Sequence, residues 1–66
     1  MRLTVNGTTR AVDEVTDVAG LVAQLTIARR GVAVAVNGEV VPRSRWAAVL
    51  LCDGDRVEVL TAAQGG

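Results

Sequence analysis

The dipeptide Asn-Gly stands twice in this chain of 66 residues, at 6–7 and at 37–38, each time between short runs rich in β-branched residues. Asn and Gly both accept the positive φ that a two-residue type I′ turn demands, and the twist of that turn matches the strands on either side. Two hairpins are therefore expected. The first joins Arg2–Val5 to Thr8–Val12, with Leu3 and Val5 alternating against polar neighbours as in a half-buried strand. The second joins Val32–Val36 to Glu39–Val41. In Val32–Val36 the large Val32, Val34 and Val36 face one way, and the small Ala33 and Ala35 face the other. Pro42 has no N–H to offer a ladder and ends the pairing.

One helix lies between the hairpins. Val18, Leu21, Val22 and Leu25 recur at i, i+3, i+4 and i+7, which builds a single apolar stripe. Thr16 reads as the N-cap, its hydroxyl accepting an orphan N–H. Asp17 then falls in the first turn, where a carboxylate favours the helix dipole. Gly20 weakens the helix by about 1 kcal/mol relative to Ala, and close packing against a sheet accounts for it. The helix ends either at Gly31, with Arg29 and Arg30 in its last turn, or near Thr26. After Pro42, Arg43–Trp46 reads as a short helical turn, and Trp46, Val49 and Leu50 at i, i+3 and i+4 support one more. Asp53-Gly54-Asp55 is a tight turn. Arg56–Leu60 is a last strand with Val57 and Val59 inward and Arg56, Glu58 and Leu60 outward. Thr61–Gly66 carries no pattern.

Two hairpins and one stripe bury their apolar faces only by laying the helix across the sheet. The first and last strands then lie side by side and parallel in the middle. The expected class is α+β with a β-grasp architecture. It has a mixed sheet of four to five strands on one main helix plus a short helical turn. Residues 1–60 form the domain and 61–66 a flexible tail.

Composition narrows the chemistry. Hydrophobic residues make up 50% of the chain, yet Trp46 is the only aromatic, so the core is aliphatic. The formal net charge is zero, which argues against a nucleic-acid or anionic-membrane binder held by bulk charge. With no His and only Cys52, the chain cannot assemble an ordinary four-ligand zinc site, a Ser-His-Asp triad or a Cys-His pair. A lone Cys makes no internal disulfide. The longest apolar run, Trp46–Cys52, is far too short to span a membrane, and the first residues lack a signal-peptide pattern. A soluble, cytoplasmic protein that works through partner enzymes is expected.

Gly65-Gly66 is the chemically suggestive pair. Without side chains it threads a narrow tunnel and adopts any φ. Six residues beyond the last strand reach about 20–22 Å. Read as a chain end, Gly66 presents a carboxylate, with an ordinary pKa of about 3.3–3.7. A carboxylate resists nucleophiles until activated, most simply as a mixed anhydride with AMP. A sulfur donor then displaces AMP and leaves a thiocarboxylate. No glycine-rich phosphate loop is present, so a separate activating enzyme must use the ATP and this chain binds no cofactor.

Across nearly its whole length the chain resembles the ThiS family of thiamine-biosynthesis sulfur carriers, which are ubiquitin-like. The resemblance rests on Val34-Ala35-Val36-Asn37-Gly38-Glu39-Val40-Val41-Pro42-Arg43, on Trp46, on Asp53-Gly54-Asp55-Arg56-Val57-Glu58-Val59 and on Gly65-Gly66. It implies a β-grasp fold and adenylation of Gly66 by an adenylyltransferase related to the ubiquitin-activating enzymes. It further implies sulfur from a cysteine desulfurase or another persulfide donor, and delivery to thiazole synthase for the thiazole ring. The carrier is then a co-substrate, not an enzyme, and a monomer when free. Gln64 departs from the small or apolar residue common there; with Gly65 it belongs to the stretch that enters a partner's active site. Two alternatives are the small sulfur-carrier subunit of molybdopterin synthase and a ubiquitin-like interaction module with an inert tail.

Outside the tail, Leu60 with Ala33 and Ala35 is expected to form a shallow apolar partner surface on the open sheet face. Cys52 reads as a buried structural thiol, with no Lys or His nearby in sequence to activate it. Trp46 reads as the anchor of the short helix, and Arg43 and Arg45 as solvated.

Overall fold

The computed structural model describes residues 1–12, 14–25 and 30–62. Both Asn-Gly dipeptides form the expected turns: Asn6 and Gly7 have φ of 50° and 82°, and Asn37 and Gly38 have 52° and 84°. The first joins β1 (Arg2–Val5) to β2 (Thr8–Ala11), with Val5 opposite Thr8. Val12, expected to close β2, lies just beyond it, and its N–H donates to the carbonyl of Met1 at 2.8 Å. The second turn joins β3 (Val32–Val36) to β4 (Glu39–Val41), with Val36 opposite Glu39. The last strand, β5 (Arg56–Thr61), enters between the hairpins. It runs parallel to β1 and antiparallel to β3, giving the five-stranded order β2-β1-β5-β3-β4. This is the mixed sheet expected of a β-grasp.

The helix α1 is described over Val18–Leu25, and Val18, Leu21 and Val22 are buried while Leu25 is half-buried. Of the two expected endings, Thr26 and Arg29 lie outside the described residues, whereas Gly31 has the left-handed φ of 73°. The stripe joins Leu3, Val5, Val34, Val57 and Val59 in one core with Val12, Trp46 and Leu51. Burying each such Val or Leu contributes about 1.5–3 kcal/mol.

Three local expectations are corrected. The cap of α1 is Asp17, not Thr16: its Oδ1 accepts the N–H of Gly20 at 2.7 Å. That is the third helical residue, the one an N-cap side chain reaches. Gly20 does not pack on the sheet; a Cβ there would collide with Oγ1 of Thr16. Finally, the turn after Pro42 is a 3₁₀ helix over Arg43–Ala48 that stops before Leu50. From Val49 the chain is extended and bridges Asp17 through Leu50, with Val18 N–H donating to Val49 O at 3.0 Å and Leu51 N–H to Thr16 O at 2.9 Å. Extended backbone alternates its side chains, so Leu50 points to solvent at 64% exposure and Leu51 is buried in its place.

Trp46 is buried, and its Nε1 donates to the carbonyl of Val41 at 2.9 Å, so the 3₁₀ helix is fastened to β4. The Arg43 guanidinium stacks 5.2 Å from the centre of that ring. Arg43 and Arg45 are both exposed, as expected.

Candidate functional site

The candidate site is built on β5, the strand that leads to the tail. Its start is fixed by the tight turn at Asp53-Gly54-Asp55. Asp53 Oδ1 accepts the Arg2 N–H at 2.6 Å, and the N–H of Gly54 donates to Arg2 O at 2.7 Å. Asn37, besides making its own turn, reaches across to this point. Its Oδ1 accepts the Arg56 N–H at 2.9 Å, and its Nδ2 donates to Asp55 Oδ1 at 3.0 Å. Asn6 does the same at the far end: its Oδ1 accepts the Val59 N–H at 2.8 Å and its Nδ2 donates to Val59 O at 3.1 Å. Each Asn-Gly turn therefore also clamps the central strand. The turn signal alone explains the φ values; the amide contacts depend on where β5 falls and were not legible.

β5 continues one residue past its expected end, to Thr61, and the N–H of Ala62 still donates to Gly31 O at 2.6 Å. The carbonyl it meets belongs to a glycine with no room for a side chain, since a Cβ on Gly31 would lie 2.9 Å from that of Ala62. Gln64, Gly65 and Gly66 lie outside the described residues.

On the open face of the sheet, Leu60 is 69% exposed and lies opposite Ala33. Ala35 lies opposite Glu58 on one side and Val40 on the other. Val40 is 73% exposed, so the apolar surface extends from Leu60 over Ala33 and Ala35 to the β4 edge. Val40 was missed, although a two-residue turn at Asn37-Gly38 already dictates that Ala35 faces it.

Cys52 is exposed, against the expectation of a buried thiol. It sits at the mouth of the tight turn, where its N–H donates to Asp55 Oδ2 at 2.8 Å, and the extended stretch buries Leu51 instead. Among the described residues, no group of three or more His, Cys, Asp or Glu is placed to hold a metal ion. No described helix is long and apolar enough to cross a membrane.

The model of the ThiS family matches residues 3–66, from β1 through the terminal glycine pair. The chain belongs to the ThiS family. Solved ThiS relatives share the fold. The crystal structure of the thiamine biosynthesis protein ThiS from Geobacter metallireducens superposes with a TM-score of 0.82 at 42% identity, covering all of both chains. Its solution structure gives a TM-score of 0.85, also at 42% identity, over all of this chain and 88% of that one. The sulfur carrier protein ThiS of Escherichia coli is 37% identical over 46 residues, 70% of each chain. A thiazole synthase of Paramagnetospirillum magneticum is 38% identical over all 66 residues, yet this chain spans only 20% of that protein's length. A ThiS-like segment thus also occurs within a much larger polypeptide.

Proposed function

We propose that this chain is the sulfur carrier of thiamine biosynthesis, with Gly66 as the residue that bears the sulfur. The observation that carries this is the family match, which runs unbroken into Gly65-Gly66. The first step is attack of the Gly66 carboxylate on the α-phosphate of ATP, giving an acyl adenylate and pyrophosphate. The outer sulfur of a donor persulfide then displaces AMP. The new C–S bond makes an acyl disulfide. A second donor thiol then attacks the donor's sulfur and breaks the persulfide's own S–S bond, taking the donor to a disulfide and leaving the glycyl thiocarboxylate. That sulfur passes to a carbonyl carbon of the thiazole precursor on thiazole synthase in exchange for an oxygen, from that carbonyl or from water, and the carboxylate returns for another cycle.

In this scheme the chain is a co-substrate. The ATP site belongs to an adenylyltransferase related to the ubiquitin-activating enzymes, and the persulfide to a cysteine desulfurase or a comparable donor. The P. magneticum relative, a thiazole synthase containing a segment similar to this chain, supports thiazole synthase as the recipient. An ATP-dependent cycle of this kind suits the cytoplasm. The apolar strip from Leu60 to Val40 is the surface offered to the activating enzyme.

Intact-mass analysis of the protein from cells tests the reading. A fraction carrying sulfur in place of one terminal oxygen, lost when Gly66 is deleted, is the expected result. A single unmodified species under conditions of thiamine demand overturns it.

A further inference from the structure

The last strand outruns its neighbour. β1 pairs with β5 only at Thr4–Arg56 and Val5–Val57, and the chain then turns away at Asn6. Backbone rungs on that side end with Asn6 N–H donating to Val57 O at 2.9 Å. The next pair of β5 groups, the N–H and C=O of Val59, bonds to the Asn6 side chain instead, at 2.8 and 3.1 Å. A primary amide carries its acceptor and its donor on two neighbouring atoms of one group, so it can meet the N–H and the C=O of one residue together. On the other edge, β3 ends at Val32, and the rung at Ala62 is supplied by Gly31 O at 2.6 Å. Gly31 reaches that place with φ of 73° and no Cβ. Two residues outside any strand thus hold β5 straight as far as Ala62.

We propose that Asn6 and Gly31 are positioning residues that set the reach of the reactive tail, an inference resting on the carrier function proposed above. With Ala62 pinned, the four residues 63–66 remain, and they span at most about 13–14 Å. This replaces the longer reach expected for six free residues. An activating enzyme must therefore bring its nucleotide within that distance of Ala62, and it meets a tail root that is already ordered. Ordering those residues only on docking would cost conformational entropy.

The test couples the clamp to tail length. Removing Ala63 shortens the reach by about 3.3–3.6 Å. In the otherwise unaltered chain, recovering the missing length requires breaking the Ala62 rung to Gly31. The deletion should then lower kcat/KM for ATP–pyrophosphate exchange by the activating enzyme about tenfold, equivalent to one net hydrogen bond. In Gly31→Ala, and in Asn6→Gly combined with Gly31→Ala, the rung is already lost, and the same deletion should cost less than about threefold. Asn6→Gly alone keeps the turn, because Gly-Gly also forms type I′, and it should raise the carrier's KM severalfold while leaving kcat unchanged.

Amide hydrogen exchange reads the clamp without any enzyme. Val59 should exchange faster in Asn6→Gly and Ala62 faster in Gly31→Ala, with Leu3 and Leu21 unaltered. Equal losses from the deletion in every background, or unaltered exchange at Val59 and Ala62, overturn the proposal. Absence of pyrophosphate exchange with the unaltered chain removes the carrier reading instead, and the amide rates still decide the clamp.

Discussion

Asp17 caps α1 because its carboxylate reaches the N–H of Gly20, while the Thr16 hydroxyl donates to Asp17 O at 3.3 Å. Removing the cap should therefore discriminate between these neighbours. Asp17→Ala should destabilise the fold by about 1 kcal/mol. Thr16→Ala should change it by less than about 0.5 kcal/mol. Urea denaturation of both variants checks this, and equal losses would return the cap to Thr16. Gly20 follows from the same geometry. Ala at 20 should gain about 0.8–1.0 kcal/mol of helix propensity, but its Cβ meets Thr16 Oγ1. The gain should thus appear in full only when Thr16 is also Ala. Cys52 has a different lesson. Its exposure makes it chemically available, but it lies beside Asp55, at the start of β5. Arg56 to Ala62 spans about 20 Å of extended strand, more than the tail's reach back from Ala62. On the carrier reading proposed above, Cys52 is therefore not expected to relay sulfur to Gly66 of the same chain, and Cys52→Ala should still become thiocarboxylated at the normal rate, as read by intact mass.

The segment between the 3₁₀ helix and β5 shows how one change of period redistributes side chains. Helical spacing after Trp46 put Val49 and Leu50 on the inward face; the bridge from Leu50 to Asp17 makes the chain extended and turns Leu51 inward instead. Leu51→Ala should cost about 2–5 kcal/mol, as for other buried leucines. Leu50→Ala should stay within about 0.5 kcal/mol. Thermal melts of the pair measure the difference, and a reversed order would restore the helical turn. The contrast explains what was legible. Strands β1, β3 and β4 were fixed by alternation and by Asn-Gly turns, which are interactions between near neighbours in the chain. The stripe of α1 was equally local. The bridge at Asp17, the grip of Asn6 on Val59 and the rung from Gly31 to Ala62 join residues far apart in sequence, and no local pattern announces them. For the same reason the chemistry of Gly65-Gly66 could be argued from composition and resemblance, while the anchoring of the strand that leads there could not.

In the assembled fold, the parallel pairing of β1 with β5 places the tail root at one end of the sheet, next to its open face. Leu60 and Ala33 stand at that end, and Ala35 and Val40 carry the apolar strip sideways to the β4 edge. Two large aliphatics exposed to 69% and 73% on one small sheet face gain nothing for the isolated domain. An enzyme that draws the tail into its active site has to cover the surface around the root, so the strip is where its grip should fall. Leu60→Asp and Val40→Asp should each weaken binding to the activating enzyme at least tenfold, as truncating an interface anchor does at about 1–2 kcal/mol or more. Neither should lower the melting temperature appreciably, since both side chains already face water. Leu60 adjoins the tail root and should be the costlier loss; Val40 tests whether the contact extends across β3. Calorimetric titration of the folded variants with the enzyme decides it. Undiminished affinity for Leu60→Asp would leave the tail alone to account for recognition. Loss at Leu60 with none at Val40 would confine the contact to β5 and its nearest neighbour in β3.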